Sequence, residues 1–257
     1  MNSSEFEFHQ KLKTQLSNSQ KSGNRYFLDW LYSEAEKEFQ TITGILEIGS
    51  GGGISKLFFK RIDVTRTDLL EFEENGVIGS IDCSDLPYKT ENFVSAFGMD
   101  VIHHLSQPII ALSELKRVIK WGDNSVIVLV EPYVSLFSFL PYKLFHDEKT
   151  TFFTSGFRKS QFVNDSPEDG DQSIPRWLFE SSKGRSLIST IFPLSEFEIQ
   201  TKHICWLSFF LTGGLTRPSR IPKSVIAVAI NIENKIPKII MKHLASRMIV
   251  TIRLKRV

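Results

Sequence analysis

The run Glu47-Ile48-Gly49-Ser50-Gly51-Gly52-Gly53 is the part of this 257-residue chain that points most directly to chemistry. Glycines at 49, 51, 52 and 53 open backbone conformations closed to other residues and let a bulky ligand approach the main chain. If the run joins a strand to a helix, its unpaired N–H groups lie at the carboxyl edge of a sheet, where open α/β sheets bind ligands. By itself the cluster is a weak signal, because ordinary connections also use glycine. Asp68 adds to it, following Gly49 at close to the ~20-residue offset at which an acid reaches a ribose hydroxyl. Asp82 opens the turn Asp82-Cys83-Ser84-Asp85-Leu86-Pro87, and Phe97-Gly98-Met99 leads into Asp100-Val101-Ile102-His103-His104-Leu105. Read as strand ends, all of these fall on one edge of a sheet.

A second set of residues suits proton transfer. Histidine titrates near neutral pH, so His103, His104 and His146 are the candidates for a general base. Each has a structural alternative: His103 and His104 can cap or pack against the core, and His146 lies in the charged run Phe145-His146-Asp147-Glu148. Tyr133 follows Glu131-Pro132 and is expected on the acceptor side, while Glu131 can simply end a strand.

Positioning these residues requires alternating elements. Apolar residues at 28, 31, 32, 35 and 39 predict an amphipathic helix over 25–40. Short apolar runs predict strands at 45–48, 63–69, 77–82, 93–97 and 125–131, with helices at 54–60 and 107–121. Past Pro132 the alternation fails. An aromatic segment leads into the acidic, turn-prone stretch 164–172, which reads as a helical insertion with a flexible loop. A strand at 196–210, a largely helical 224–246 and a final strand at 248–255 follow. The expected fold is α/β: a Rossmann-like, open, mostly parallel seven-stranded sheet with helices on both faces and a helical lid insertion after the fifth strand. Residues 1–40 would form a helical cap, 41–132 the core, 133–195 the lid, and 196–257 the part that completes the sheet.

Composition narrows the class. A hydrophobic content of 41% in a chain of this length can bury a full core. A net charge of +2 on 23% charged residues does not suggest a dedicated nucleic-acid binder. Charge is uneven, however: from Arg217 to Val257 the single acid is Glu233, against basic residues that include Lys235, Lys238, Lys242, Arg247 and Arg253. This basic region is either a solvated helix face or a surface for an anionic acceptor or anionic lipid. Cys83 and Cys205 have no paired spacing for a disulfide or a metal, and no metal site is expected. The polar N-terminus and the lack of a ~20-residue apolar run predict a cytoplasmic protein without a transmembrane segment, at most peripheral to a membrane.

Taken in order, Leu46 to Gly53, Asp68, Asp82 to Pro87, Val101 to Leu105 and Leu115-Lys116-Arg117-Val118-Ile119-Lys120 make the chain resemble the small-molecule branch of the class I S-adenosylmethionine-dependent methyltransferases. The resemblance implies the cofactor S-adenosylmethionine, held through Glu47, Gly49, Ser50, Gly51 and Gly53 beneath its methionine part. It implies Asp68 and Leu69 at the ribose, Asp82 and Cys83 at the adenine, Gly98 and Met99 beside the sulfonium, and Arg25 and Tyr26 across the pocket. The acceptor would be a small or lipid-linked metabolite, methylated on oxygen or carbon. Two positions depart from the family pattern: Val94 stands where an acid is usual, and the helix end Val118-Ile119-Lys120-Trp121-Gly122 lacks the proline that commonly precedes the glycine. A nicotinamide-dependent reductase is the nearest rival, but its G-x-G-x-x-G pattern would need glycine at Ile54. A catalytically silent cofactor-binding module is the third reading.

Overall fold

The computed structural model describes residues 22–72, 76–145, 149–150, 170–213 and 221–256. Its centre is a seven-stranded sheet made of β1 (Ile45–Ile48), β2 (Val64–Thr67), β3 (Val77–Ile78), β4 (Ser95–Met99), β5 (Ile127–Pro132), β6 (Phe197–Ile204) and β7 (Arg247–Leu254). The spatial order is β3-β2-β1-β4-β5-β7-β6. Strands β1 to β5 pair in parallel, whereas β7 lies antiparallel between β5 and β6. From β1 the chain winds outward through β2 and β3 and then resumes on the other side with β4. The crevice at that reversal, outside the carboxyl ends of β1 and β4, is where such sheets take ligands.

Alternation along the central strands divides the core between two faces. Leu46, Ile127, Leu129 and Ile252 pack on one side with α2 (Pro108–Val118), α4 (Ile174–Glu180) and α5 (Ser182–Ile191). Ile45, Phe97, Val128 and Val130 pack on the other with α1 (Gly23–Glu36), α6 (Leu207–Leu211) and α7 (Lys223–Glu233). Both faces are therefore covered, as a parallel sheet requires. Two further helices, α3 (Phe139–Phe145) and α8 (Lys238–Leu244), lie near the carboxyl edge, where Phe137 N–H donates to the His243 carbonyl at 3.1 Å.

Several elements differ from the sequence expectation, each for a local reason. The segment after the glycine turn forms a single 3₁₀ turn, Ile54–Leu57, instead of a helix running to Lys60. Strand β6 stops at Ile204 because Cys205 takes a left-handed φ of 43° and α6 begins two residues later. Glu233 caps that helix: its carboxylate accepts from the N–H groups of Trp206 and Ser208 at 3.0 and 2.9 Å. The region 224–246 splits in two at Pro237, which cannot continue a helix but opens the next one. His146 and most of the acidic stretch lie outside the described residues. Among the described residues no helix is long and apolar enough to cross a membrane.

Candidate active site

At the carboxyl end of β1, Gly49, Gly51 and Gly53 have φ of 59°, 53° and 68°, which only glycine adopts without strain. Gly49 is also required by space: a Cβ there would come 2.4 Å from Val101 Cγ2. The turn is stitched to β2. Ser50 N–H donates to the Thr67 carbonyl at 3.0 Å, Thr67 Oγ1 donates to the Glu47 carbonyl at 2.7 Å, and Gly51 N–H donates to Asp68 Oδ2 at 2.7 Å. Asp68 Oδ1 accepts from Leu70 N–H at 3.0 Å, and the Asp68 carbonyl accepts from Ile81 N–H at 3.0 Å. Glycine turn, acid and third loop are thus one hydrogen-bonded unit. Ser50 is buried in it, with its side chain acting on the Glu47 carboxylate.

The next loop completes this edge. Asp82 Oδ1 accepts from Ser84 N–H and Oγ at 2.8 and 2.6 Å, closing a local turn that presents Cys83 inward. Burial, reinforced by Asp68 and Asp82, pushes the Cys83 thiol up to about 12, so it is no nucleophile at neutral pH. Leu69 is 55% exposed, a large aliphatic side chain left uncovered beside an acid. Gly98 is buried, and its Cβ would stand 2.7 Å from Val101 Cγ1 and 3.2 Å from Leu129 Cδ2, so close packing demands glycine there. Met99 is half-buried at the end of β4. Of the residues expected at a cofactor, Gly49, Ser50, Gly51, Asp68, Cys83 and their neighbours are brought together at the switch point.

Glu47 is placed differently, under the turn. Its carboxylate is buried on the α1 side, where Ser55 Oγ donates to it while Arg66 Nε donates to Ser55 Oγ at 2.8 Å. Burial pushes the Glu47 carboxyl up to about 7, although Ser55 and Arg66 act against that. Its role in the structure is to support the turn from beneath. Arg25 lies over the Phe58 ring at 5.0 Å, and Tyr26 is exposed.

Beyond β4 and β5 a second cluster forms. Asp100, with φ of 55°, receives both terminal nitrogens of Arg247 in a forked ion pair. Glu131, fully buried at the end of β5, accepts from Val101 and Ile102 N–H at 3.1 and 2.8 Å through one oxygen; the other is 2.8 Å from His103 Nδ1. The His104 ring packs against that of His103 at a tilt, with centroids 4.1 Å apart. Asp100, His103 and Glu131 offer three ligand atoms within 4.8 Å of one another. Protein donors already occupy both carboxylates, so the set is satisfied without a cation. Tyr133 is buried beside these groups and donates to Glu180 Oε2 at 3.0 Å, with His203 Nε2 at 2.6 Å from the other Glu180 oxygen. Burial and the Glu180 carboxylate push the Tyr133 hydroxyl well above its usual range. Tyr133 is therefore a brace between β5 and α4 and is not readily ionised.

Glu180, His203 and Arg247 were not expected at this edge from the sequence, and Asp100 and Glu131 were expected there only as strand ends without a role. Glu131 carried a usable signal, since an acid ending a strand stands across from the histidines that follow the neighbouring strand. Arg247 carried none, because its approach to Asp100 depends on β7 inserting antiparallel beside β5.

No protein-family model matches the chain, and no curated protein matches it in sequence. Solved structures do match in fold. A SAM-dependent methyltransferase from Archaeoglobus fulgidus superposes with a TM-score of 0.51 at 15% identity, over 90% of this chain and 94% of that one. The [4+2]-cyclase SpnF matches at 0.49 and 17% identity, over 89% and 81%. A possible histamine N-methyltransferase from Thermotoga maritima matches at 0.47 and 18%, over 90% and 94%. The chain has the Rossmann-like fold of the S-adenosylmethionine-dependent methyltransferases.

Proposed function

We propose that the protein transfers a methyl group from S-adenosylmethionine to a small or lipid-linked acceptor, with a hydroxyl oxygen as the favoured target. The observation that carries this reading is the contact of Gly51 N–H with Asp68 Oδ2, which fixes the glycine turn and the acid as one unit at the switch point. The residues present suit the cofactor: a half-buried carboxylate can accept from ribose hydroxyls, Leu69 offers an apolar surface to a planar base, and a Cβ at Gly49 or Gly98 would collide with Val101, so the backbone there stays open to a bulky ligand. When bound, S-adenosylmethionine supplies an electrophilic methyl and its own thioether leaving group. The protein's part is binding, alignment and exclusion of water. In this reading Asp68 and Leu69 hold the nucleoside, Asp82 and Cys83 border the base, and Gly98 and Met99 flank the sulfonium end.

Proton removal is assigned to His103. Glu131 takes the Nδ1 proton in a hydrogen bond and fixes the ring, so that Nε2 is the atom that accepts the proton of the acceptor hydroxyl. A nicotinamide cofactor is disfavoured by the short 3₁₀ turn after the glycines, since a dinucleotide's pyrophosphate sits at the N-terminus of a full helix.

Calorimetry with S-adenosylmethionine and with NADPH tests the donor. Binding of the sulfonium compound is expected, and Asp68→Ala should weaken it by about 1–3 kcal/mol through lost hydrogen bonds. Binding of NADPH alone, or an unchanged dissociation constant in a folded Asp68→Ala protein, would overturn the assignment. Incubation of methyl-labelled cofactor with a metabolite extract then separates an enzyme, which yields labelled product, from a silent binding module, which yields none.

A further inference from the structure

We infer that the surface formed by α3 and α8 docks on an anionic lipid bilayer. Leu136, Phe137, Leu140, Leu144, Ile239 and Ile240 are all exposed there, Leu144 at 63% and Ile239 at 76%. Single exposed aliphatics are ordinary, but six concentrated on two short segments are not. The segments touch, because Phe137 N–H donates to the His243 carbonyl, and Ile239, Ile240 and His243 share one face of α8 at helical spacing. On α3, Leu140, Lys143 and Leu144 share the outward face while Tyr142 is buried on the inward one, its hydroxyl donating to the Ser246 carbonyl at 2.5 Å.

Charge selects the occupant. Lys143, Lys235 and Lys238 are exposed around the aliphatics, Lys242 is exposed but lies 3.4 Å from Glu180, and residues 134–145 and 234–247 contain no acid, with Asp147 and Glu148 following α3 in the sequence. The nearest acid along the C-terminal region, Glu233, is buried, with its oxygens committed to Trp206, Ser208 N–H and Ser208 Oγ. It gives the surface no negative charge. Aliphatic side chains ringed by lysines match an interfacial layer of acyl chains beneath anionic headgroups. The patch also borders the acceptor side of the site, since α3 follows β5 and Tyr133 directly in the chain. An acceptor embedded in or leaving the bilayer would reach His103 from this direction, although docking itself does not depend on methyl transfer.

Vesicle flotation of the full chain tests the inference, comparing neutral phosphatidylcholine vesicles with vesicles in which roughly a quarter of the lipid is phosphatidylglycerol, at low salt. The protein is expected to float with the anionic vesicles and to bind neutral ones at least about tenfold more weakly, with release as salt rises. Leu140→Glu with Ile239→Glu should reduce anionic binding at least about tenfold, and Lys143→Glu with Lys238→Glu should do so while keeping every aliphatic side chain. All four positions are exposed, and an unchanged thermal melt verifies folding. Failure to float with anionic vesicles, or equal flotation of the wild type and both variants, would refute the inference. So would sedimentation showing that the wild type is a dimer that Leu140→Glu with Ile239→Glu converts to monomer, because the patch would then belong to a second copy.

Discussion

His103 and Glu131 make a pair whose chemistry depends on a single hydrogen bond. Glu131 is fully buried and its two oxygens face the N–H groups of Val101 and Ile102 and the Nδ1 of His103. Replacing it with Gln preserves the two main-chain contacts but turns an N–H toward His103 Nδ1, which must then be the unprotonated nitrogen. The proton moves to Nε2, the atom needed as base. Glu131→Gln should therefore retain cofactor affinity and lower kcat, and His103→Gln should lower it by about 10²–10⁴-fold with loss of the acid limb of the pH–rate profile. Turnover of the labelled acceptor by His103→Gln at the wild-type rate would remove the base assignment. At this scale the sequence was informative wherever chemistry and backbone freedom coincide. The glycines, Asp68 and Cys83 could be read because their spacing follows local strand and turn lengths. The Asp100–Arg247 fork could not, as its partners meet only through the pairing of β5 with β7.

Among the elements, α4 and α5 show how a short connection sets a packing angle. Ser181 ends α4 and caps α5, its Oγ accepting from Gly184 N–H at 3.0 Å. One turn into α5, Gly184 lies so near the end of α4 that a Cβ would stand 2.2 Å from the Trp177 carbonyl oxygen and 2.5 Å from that of Leu178. Helix propensity favours alanine there by about 1 kcal/mol. Contact with backbone outweighs it, because neither helix can yield without disturbing Trp177, Leu178 and Ile188 in the core. Gly184→Ala is expected to destabilise the protein by about 1–3 kcal/mol in urea denaturation. Gly122→Ala, with nothing within 4 Å of the added carbon, should be near neutral and serves as the control. Equal midpoints for the two variants would show that α5 can shift. Buried strands such as β1 and β5 were legible as short apolar runs. The 3₁₀ turn at Ile54 and the end of β6 at Cys205 were less so, since periodicity does not mark where a helix tightens or a strand stops, whereas the break at Pro237 carried a local proline signal.

Across the whole molecule, buried and paired carboxylates pull the pH dependence of stability in opposite directions. Burial works against ionisation of Glu180, but His203 and Lys242 outweigh it and hold its carboxyl below the ordinary range; Glu34 and Glu36 are held low by Lys202 and Lys37 and by Arg61. Groups of this kind stabilise the fold above their unfolded pKa and cease to do so as pH falls through the acid range. Glu47 behaves oppositely. Its folded carboxyl titrates near 7 because it is buried, well above the unfolded value near 4.5, so the folded state keeps a proton that the unfolded chain has already released. The stability this confers is complete below about 4.5 and is lost as pH rises through about 7, amounting to about 3 kcal/mol at ~1.36 kcal/mol per pKa unit. Maximum stability should therefore fall between these limits. Glu47→Gln removes the titration while keeping an acceptor for Ser55 Oγ, and should abolish most of the decline between pH 5 and pH 8 seen in urea denaturation of the wild type. If variant and wild type lose the same stability over that interval, the Glu47 carboxyl is ionised throughout, and its ion pair with Arg66, 3.6 Å away, prevails over burial.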